Sequence, residues 1–151
     1  MAAPRKKKTQ WRLRKDPLWR GDGAALTMPE PTADASIVRH VLYLGGAGRP
    51  TPYHSATEVQ SVAGMFAGTA GRVRETTVPH AERARAIHLG RIELIRLLQG
   101  LGQGKAKWHS ALEVMQARRY VEQWHEHLLS FTDLAGDSES EIQAAVLAAY
   151  K

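Results

Sequence analysis

The stretch ALEVMQARRYVEQWHEHLLSF, residues 111–131, carries the clearest periodicity in the chain. Its apolar side chains recur at steps of three and four residues: Ala111, Val114, Ala117, Val121, Trp124, Leu128 and Phe131. That spacing places them on one face of an α-helix, and such a face must be buried against another part of the protein or against a partner. The stretch therefore predicts a long amphipathic helix within residues 106–134.

The residues on either side predict two more helices and few strands. Residues 79–99 show a similar pattern that begins at Pro79, a residue favoured in a first helical turn, and Ser138 with Glu141 forms a capping box for a last helix. Three shorter elements are predicted as well: strands at 37–44 and 72–78, and a helix at 57–66. We expect a helix-dominated α+β protein with two or three long helices and a minor two- or three-strand element.

Positive charge is concentrated at the N-terminal end. Residues 1–20 hold eight Lys or Arg and one acidic residue, Asp16, although the net charge of the whole chain is only +6. The cations are Arg5, Lys6, Lys7, Lys8, Arg12, Arg14, Lys15 and Arg20, and two aromatic residues, Trp11 and Trp19, lie among them. Cations neutralise phosphates while an indole stacks on an unpaired base, so the segment predicts an extended basic arm that binds nucleic acid. Packing of both tryptophans against a protein surface is the alternative.

Composition predicts three segments and excludes several classes of protein. We expect a basic arm at residues 1–20, an extended connector rich in Gly and Pro at 21–36, and a single small helical domain at 37–151. The chain has no cysteine, which excludes disulfides and thiolate metal sites. No apolar run approaches the length of a membrane-spanning helix, so integral insertion into a membrane is not expected. The corresponding prediction is an intracellular location, with the mitochondrial matrix or another organelle favoured.

Neither the histidines nor the glycine-rich loop predicts a metal or cofactor site. His125 and His127 are two residues apart, which points them to different sides of a helix, and catalytic metal sites need three well-placed protein ligands. The glycine-rich loop at 45–48 is followed by Pro50 and Pro52, whereas a phosphate-binding loop needs a helix N-terminus directly behind it. We therefore expect no metal and no cofactor.

Residues Tyr53 to Thr57 (YHSAT) raise an enzymatic alternative. They look like the middle segment of ADP-ribosyltransferases, in which a Ser-Thr pair precedes a helix and a strand. The resemblance implies an Arg or His on the first strand, for which Arg39 or His40 is available, and a catalytic Glu on a late strand. Glu139 and Glu141 are the candidates for that carboxylate, but their position at a helix start already gives them a capping role.

A second resemblance covers residues 54–88. The segments MFAG (65–68) and RVRETTVPHAERAR (72–85) look like the part of large-subunit ribosomal protein seventeen in which a helix, a short strand and a Thr-Thr turn open a basic helix. His54 is similar to a basic His at the start of that family's preceding helix. The resemblance implies RNA binding by Arg72, Arg74, Arg83 and Arg85. The later Gly-Gly-Tyr strand region of that family is absent from this chain.

Together these features predict a non-catalytic structural subunit of a large ribonucleoprotein, with an organellar (mitochondrial) large ribosomal subunit as the favoured host. The arm would bind ribosomal RNA. Neighbouring protein subunits would pack on the C-terminal helix and on the helix face with Val114, Val121, Trp124 and Leu128. One alternative is an accessory subunit of another organellar protein complex, such as a respiratory complex, with the arm on anionic lipid headgroups or acidic protein. The other is the ADP-ribosyltransferase-like enzyme.

Overall fold

The computed structural model describes residues 11–23, 25–42, 50–98 and 111–151. Within these ranges the chain forms one five-stranded antiparallel sheet and six α-helices. The strands are β1 Leu18–Asp22, β2 Tyr53–Thr57, β3 Arg72–Thr76, β4 Ile87–Leu89 and β5 Glu126–Ser130. The helices are α1 Ile37–Val41, α2 Gln60–Ala67, α3 Val78–Arg83, α4 Arg91–Leu97, α5 Ala111–Gln123 and α6 Glu139–Ala148. The strand order across the sheet is β3-β1-β2-β5-β4.

This is a mixed α+β fold, so the prediction of a helix-dominated protein with a two- or three-strand minor element is wrong. Each of the two long helices predicted from periodicity contains a strand. The pattern at 79–99 is interrupted because Arg85 adopts a left-handed conformation with φ 69°, after which β4 forms and Gly90 caps α4. The pattern at 111–131 is interrupted at His125, where φ is 47° and the chain turns from α5 into β5.

The apolar stripe of residues 111–131 is consequently divided between two elements. Val114, Ala117 and Val121 are buried on α5 as predicted, but Leu128 reaches the same core from β5. Phe131 follows β5 and packs in a different core cluster. The three-and-four spacing continues through the strand by coincidence, because apolar clusters cover both faces of the sheet and residues on either face can be buried.

The strand predicted at 37–44 is also wrong, since residues 37–41 form α1. The Ser36 hydroxyl accepts a hydrogen bond from the Arg39 backbone N–H, which caps the helix. Ile37, Val38 and Val41 are then buried on one side. Residues 43–49, which include the glycine-rich loop, lie outside the described residues.

Other local predictions are confirmed. The strand predicted at 72–78 is β3, which ends two residues earlier at Thr76, and the short helix predicted at 57–66 is α2, which begins at Gln60 because Thr57 belongs to β2. Thr77 caps α3 by accepting from the His80 N–H, and Pro79 stands in the first turn. Ser138 and Glu141 form the predicted capping box of α6.

Apolar clusters cover both faces of the sheet. On one face, α1, α4 and α5 pack over Tyr53 and Leu128. On the other, α3 and α6 pack over Leu129. None of the helices in the described ranges is both long and apolar enough to cross a membrane.

Strand β1 lies inside the sheet and spans the boundary predicted between arm and connector. It pairs with β3 at five positions, from Leu18 with Thr76 to Asp22 with Arg72. Helix α2 lies so close to β1 that a Cβ atom at Gly21 would fall 2.0 Å from the Ala63 carbonyl oxygen. Glycine at this position permits contact between the two backbones.

Candidate functional site

A cleft opens where the two central strands separate. Strands β1 and β2, both fully described, form a single register pair, Trp19 with Thr57, whereas β2 and β5 are paired at five positions. Beyond that pair the Arg20 guanidinium bridges the gap, donating from Nη1 to the Ser55 carbonyl oxygen at 3.0 Å. The space around these strands has a volume of about 540 Å³, which is in the usual range for a small-molecule site. We call it the β1–β2 cleft.

One wall of the cleft carries positive charge. Asp22, which is buried, lies 2.8 Å from Arg20 Nη2 and 3.6 Å from Arg74 Nε. Two guanidinium groups thus share one carboxylate, which leaves the trio with a net positive charge. Arg74 Nε is buried without a hydrogen-bond partner within the described residues. Such a wall favours an anionic ligand, because charge in a sheltered cleft is poorly screened.

The opposite wall presents hydroxyl and imidazole groups from β2 and α1. Ser55 Oγ lies 2.8 Å from His40 Nε2, and His40 Nδ1 lies 2.9 Å from Thr51 Oγ1. Ser55 also forms a hydrogen bond with the Glu126 carboxyl group. These groups converge because alternate residues of a strand share one face, so Ser55 and Thr57 point the same way.

Glu126 is the buried carboxyl group of the cleft. It is the first residue of β5 and is paired with Thr57. The Thr57 hydroxyl donates to the Trp124 carbonyl oxygen at 2.7 Å, which fixes the turn between α5 and β5 and so the position of Glu126. Burial raises the pKa of Glu126 to about 7, while the hydrogen bond with Ser55 acts in the opposite direction. A carboxyl group with such a pKa can exchange protons near neutral pH.

Four aromatic side chains line the cleft near Glu126, and we call them the aromatic rim: Trp19, Phe66, Tyr120 and Trp124. Phe66 and Trp124 meet edge to face, with ring centroids 5.8 Å apart. Phe66 is 50% exposed and Tyr120 is 42% exposed, whereas both tryptophans are half-buried. The rim therefore offers free aromatic surface at the edge of a charged cleft.

A second polar cluster lies outside the cleft. His127 is hydrogen-bonded to His88 at 2.8 Å and to Glu58 at 2.7 Å, and Arg91 Nε lies 3.1 Å from Glu58. The Trp11 ring covers His127 at a centroid distance of 4.5 Å. Burial, followed by the charge of His127, lowers the pKa of His88 to about 4. No group of three or more ligating side chains placed for a metal ion occurs in the described part of the chain.

The residues predicted to bind RNA do not form one surface. Arg5, Lys6, Lys7 and Lys8 lie outside the described residues. Trp11 packs inward, and its Nε1 donates to the Pro17 carbonyl oxygen. Arg12 pairs with Asp16, and Arg85 with Asp137. Arg14, Lys15, Arg72 and Arg83 are exposed, Trp19 and Arg20 line the cleft, and Arg74 lies behind Arg20 against Asp22.

The candidates for ADP-ribosyl transfer are placed differently from the prediction. Arg39 and His40 lie on α1 instead of a first strand, and although His40 reaches Ser55, Arg39 pairs with Asp34. Glu139 and Glu141 lie at the start of α6, where Glu141 completes the capping box. The Ser55-Ala56-Thr57 segment does lie on a strand that is followed by a helix and a strand.

Sequence reasoning missed Arg20 and Glu126. Arg20 was assigned to the basic arm, although Leu18 and Trp19 beside it give a short apolar signal for a strand. Glu126 was assigned to a helix, and the stretch from Glu126 to Ser130, two polar residues followed by two leucines and a serine, has no alternation that would have indicated a strand.

Comparison with protein-family models, curated proteins and solved structures finds no match. The interpretation of the cleft therefore depends on its geometry.

Proposed function

We propose that the chain is an ADP-ribosyltransferase-like enzyme that uses NAD in the β1–β2 cleft. The observation that carries the proposal is that three groups from distant parts of the sequence line one cleft. Arg20 lies on the first strand, Ser55 and Thr57 on the second, and Glu126 on the last strand of the sheet. These are the positions at which the family resemblance places an Arg or His, a Ser-Thr pair and a catalytic Glu.

Charge and hydrogen bonding suit two parts of NAD, the pyrophosphate and the nicotinamide ribose. The pyrophosphate is anionic, and Arg20, which lines the cleft and shares Asp22 with Arg74, supplies the positive wall. Ser55 and Thr57 lie on the strand opposite, and Glu126 lies beside them. A carboxylate at this point can stabilise positive charge that develops on the nicotinamide ribose.

In the proposed reaction the bond between the ribose C1′ and the nicotinamide nitrogen breaks, and nicotinamide leaves with the electron pair. A bond forms from C1′ to an acceptor oxygen or nitrogen, whose proton passes to the Glu126 carboxylate. Water as acceptor gives ADP-ribose and nicotinamide. Because Glu126 must be ionised to take the proton, the rate should rise with pH and level off above about pH 7, the pKa of that group.

The proposal is tested by nicotinamide release from NAD, measured by chromatography with the full-length protein. We expect release above the buffer blank, and a loss of roughly 100-fold or more in Glu126→Gln, since a group that stabilises transition-state charge contributes on that scale. Glu141→Gln is the matched control, because Glu141 is exposed and caps α6.

Folding is checked by comparing the thermal melts of the three proteins. Absence of nicotinamide release, or equal release from the wild type and Glu126→Gln, would contradict the proposal. Equal losses in Glu126→Gln and Glu141→Gln would do so as well, because the effect would then not depend on the cleft.

RNA binding through the basic arm is a second candidate function. It is supported by the eight cations and single acid of residues 1–20. Membership of an organellar ribosome, or of another organellar complex, stays a prediction. A role as a structural subunit would be favoured if the protein were recovered with assembled ribosomal subunits at high salt and released no nicotinamide.

A further inference from the structure

The proposed reaction needs an acceptor, and the aromatic rim lines the same cleft as Glu126, the group that takes the acceptor proton in that reaction. Phe66 and Tyr120 are the exposed members of the rim, and Trp124 connects them to the turn that holds Glu126. Flat aromatic surface beside a reactive carboxyl group suits a flat acceptor that can stack.

Exposed cations precede the rim residue Trp19 in the sequence. Arg14 and Lys15 are exposed in the turn that precedes β1, and that turn is closed by Asp16, whose carboxylate accepts from the Arg12 backbone N–H at 2.7 Å. Lys15 is four residues from Trp19, so their Cα atoms are at most about 14 Å apart. Aromatic surface next to cations is the combination by which proteins bind single-stranded nucleic acid, with bases on the rings and phosphates on the cations.

We propose that the acceptor is a base of single-stranded nucleic acid, stacked on Phe66 and Tyr120. This inference rests on the proposed function, because it assigns the acceptor of the same reaction. A nitrogen of the base would form the bond to C1′, and its proton would pass to Glu126 as nicotinamide leaves. A paired base is enclosed by its neighbours in the duplex and would have to be extruded first, so an unpaired base is the better substrate.

Binding is tested without NAD, so that the result does not depend on catalysis. A fluorescein-labelled single-stranded RNA of mixed sequence is titrated with the full chain and followed by anisotropy, and the same strand annealed to its complement is the comparison. We expect the duplex to bind more weakly. Phe66→Ala combined with Tyr120→Ala should weaken binding of the single strand about tenfold or more, since each stacked base contributes on that scale.

Two matched controls separate the rim from general effects of charge and apolar area. Leu147→Ala removes an exposed apolar side chain, 46% exposed, from α6, and Arg96→Gln removes an exposed cation from α4, outside the cleft. Both should leave the affinity within twofold, whereas Arg14→Gln with Lys15→Gln should lower it and reduce its salt dependence. Equal affinity in wild type and rim variant would overturn the inference.

Transfer is then measured with radiolabelled NAD, the RNA strand and the purified protein. The inference expects label in the RNA, and a shift from labelled RNA to free ADP-ribose in the rim variant. Label in protein only would overturn the nucleic-acid acceptor while leaving the proposed function intact. No nicotinamide release with any acceptor would overturn the proposed function itself, and the anisotropy result would still decide whether the rim binds single strands.

Discussion

Two buried titratable side chains, His54 on β2 and Glu126 on the neighbouring strand β5, lie in very different surroundings. His54 has both ring nitrogens engaged, with Nδ1 2.6 Å from the Tyr150 hydroxyl and Nε2 2.7 Å from the Thr27 carbonyl oxygen. Burial lowers the pKa of His54 well below its usual value, so it is neutral at physiological pH. Its hydrogen bonds connect β2 to a distant part of the chain and hold the fold together.

Glu126, on the neighbouring strand, is buried against a cleft instead of a packed core. Its pKa is raised to about 7, which means that the site destabilises the charged form that the proposed reaction needs. A group retained at a cost in stability is more informative about function than one whose hydrogen bonds are satisfied. The contrast between the two residues can be measured directly.

The largest expected effect is loss of stability in His54→Ala. The substitution leaves a cavity beside Phe131 and removes the hydrogen-bond partner of the Tyr150 hydroxyl and of the Thr27 carbonyl oxygen. The free energy of unfolding, measured in urea melts, should therefore fall by about 4 kcal/mol. Ser55→Ala, one residue away on β2, is the control and should cost less than about 1.5 kcal/mol. Similar losses in the two variants would show that His54 has no special structural role.

Glu126→Gln should act in the opposite direction and stabilise the protein at high pH. The wild-type carboxyl group is protonated in both states below its ordinary pKa of 4.5, and stability then falls as the pH rises towards about 7, where the folded state ionises too. The neutral variant escapes this loss, which amounts to about 3 kcal/mol. In urea melts, the free energies of unfolding of wild type and Glu126→Gln should therefore be equal at pH 4 and differ at pH 8. A wild type as stable as the variant at pH 8 would contradict burial of an ionisable Glu126.

Ser55→Ala should move the pH dependence of nicotinamide release. The hydrogen bond with Ser55 lowers the pKa of Glu126, so its removal should shift the midpoint of the pH profile to higher pH. The comparison is with wild type at saturating NAD, and Leu147→Ala should leave the midpoint unchanged. A midpoint that moves to lower pH would show that Glu126 is not the titrating group.

Deletion of residues 1–10 should have the smallest effect on folding. The deletion removes Arg5, Lys6, Lys7 and Lys8 but leaves β1 intact, so the free energy of unfolding should change by less than about 0.5 kcal/mol. The slope of single-stranded RNA affinity against salt should fall by about 2 to 3, since each phosphate contact on a single strand contributes roughly 0.7. Deletion of residues 1–20 is the contrasting variant and should prevent folding, because it removes Leu18, Trp19 and Arg20 from a central strand. An unchanged salt slope would exclude the first ten residues from RNA binding.

Local signals in the sequence predicted local structure well. Thr77 and Ser138 mark helix starts because a side-chain hydroxyl followed three residues later by a backbone N–H is a short-range arrangement. The positive φ values of Arg85 and His125 carry no such signal: Arg is not typical of the left-handed region, and His, although enriched there, is found at negative φ in most of its occurrences. Two helices were therefore predicted too long, and the strands that follow those turns were missed.

The site was predictable only in part. Ser55 and Thr57 were noticed because they belong to one short segment, whereas Arg20 and Glu126 join them through pairing between strands more than thirty residues apart in sequence. Periodicity indicates which side of a helix or strand is buried, but it does not indicate which element lies beside it. Arg20 was therefore assigned to a solvated arm and Glu126 to a helix. Register within the sheet brings these residues together, and a single sequence does not specify that register.

The close approach of β1 and α2 has a mechanical consequence. Glycine at position 21 allows the backbones of β1 and α2 to touch, so no side chain separates strand and helix at this point. A displacement of β1 must therefore move α2 as well, and Phe66 lies in the last turn of α2. Tension on the residues before Leu18 would move a wall of the cleft and a member of its rim as one unit. An added methyl group at Gly21 would wedge the two apart.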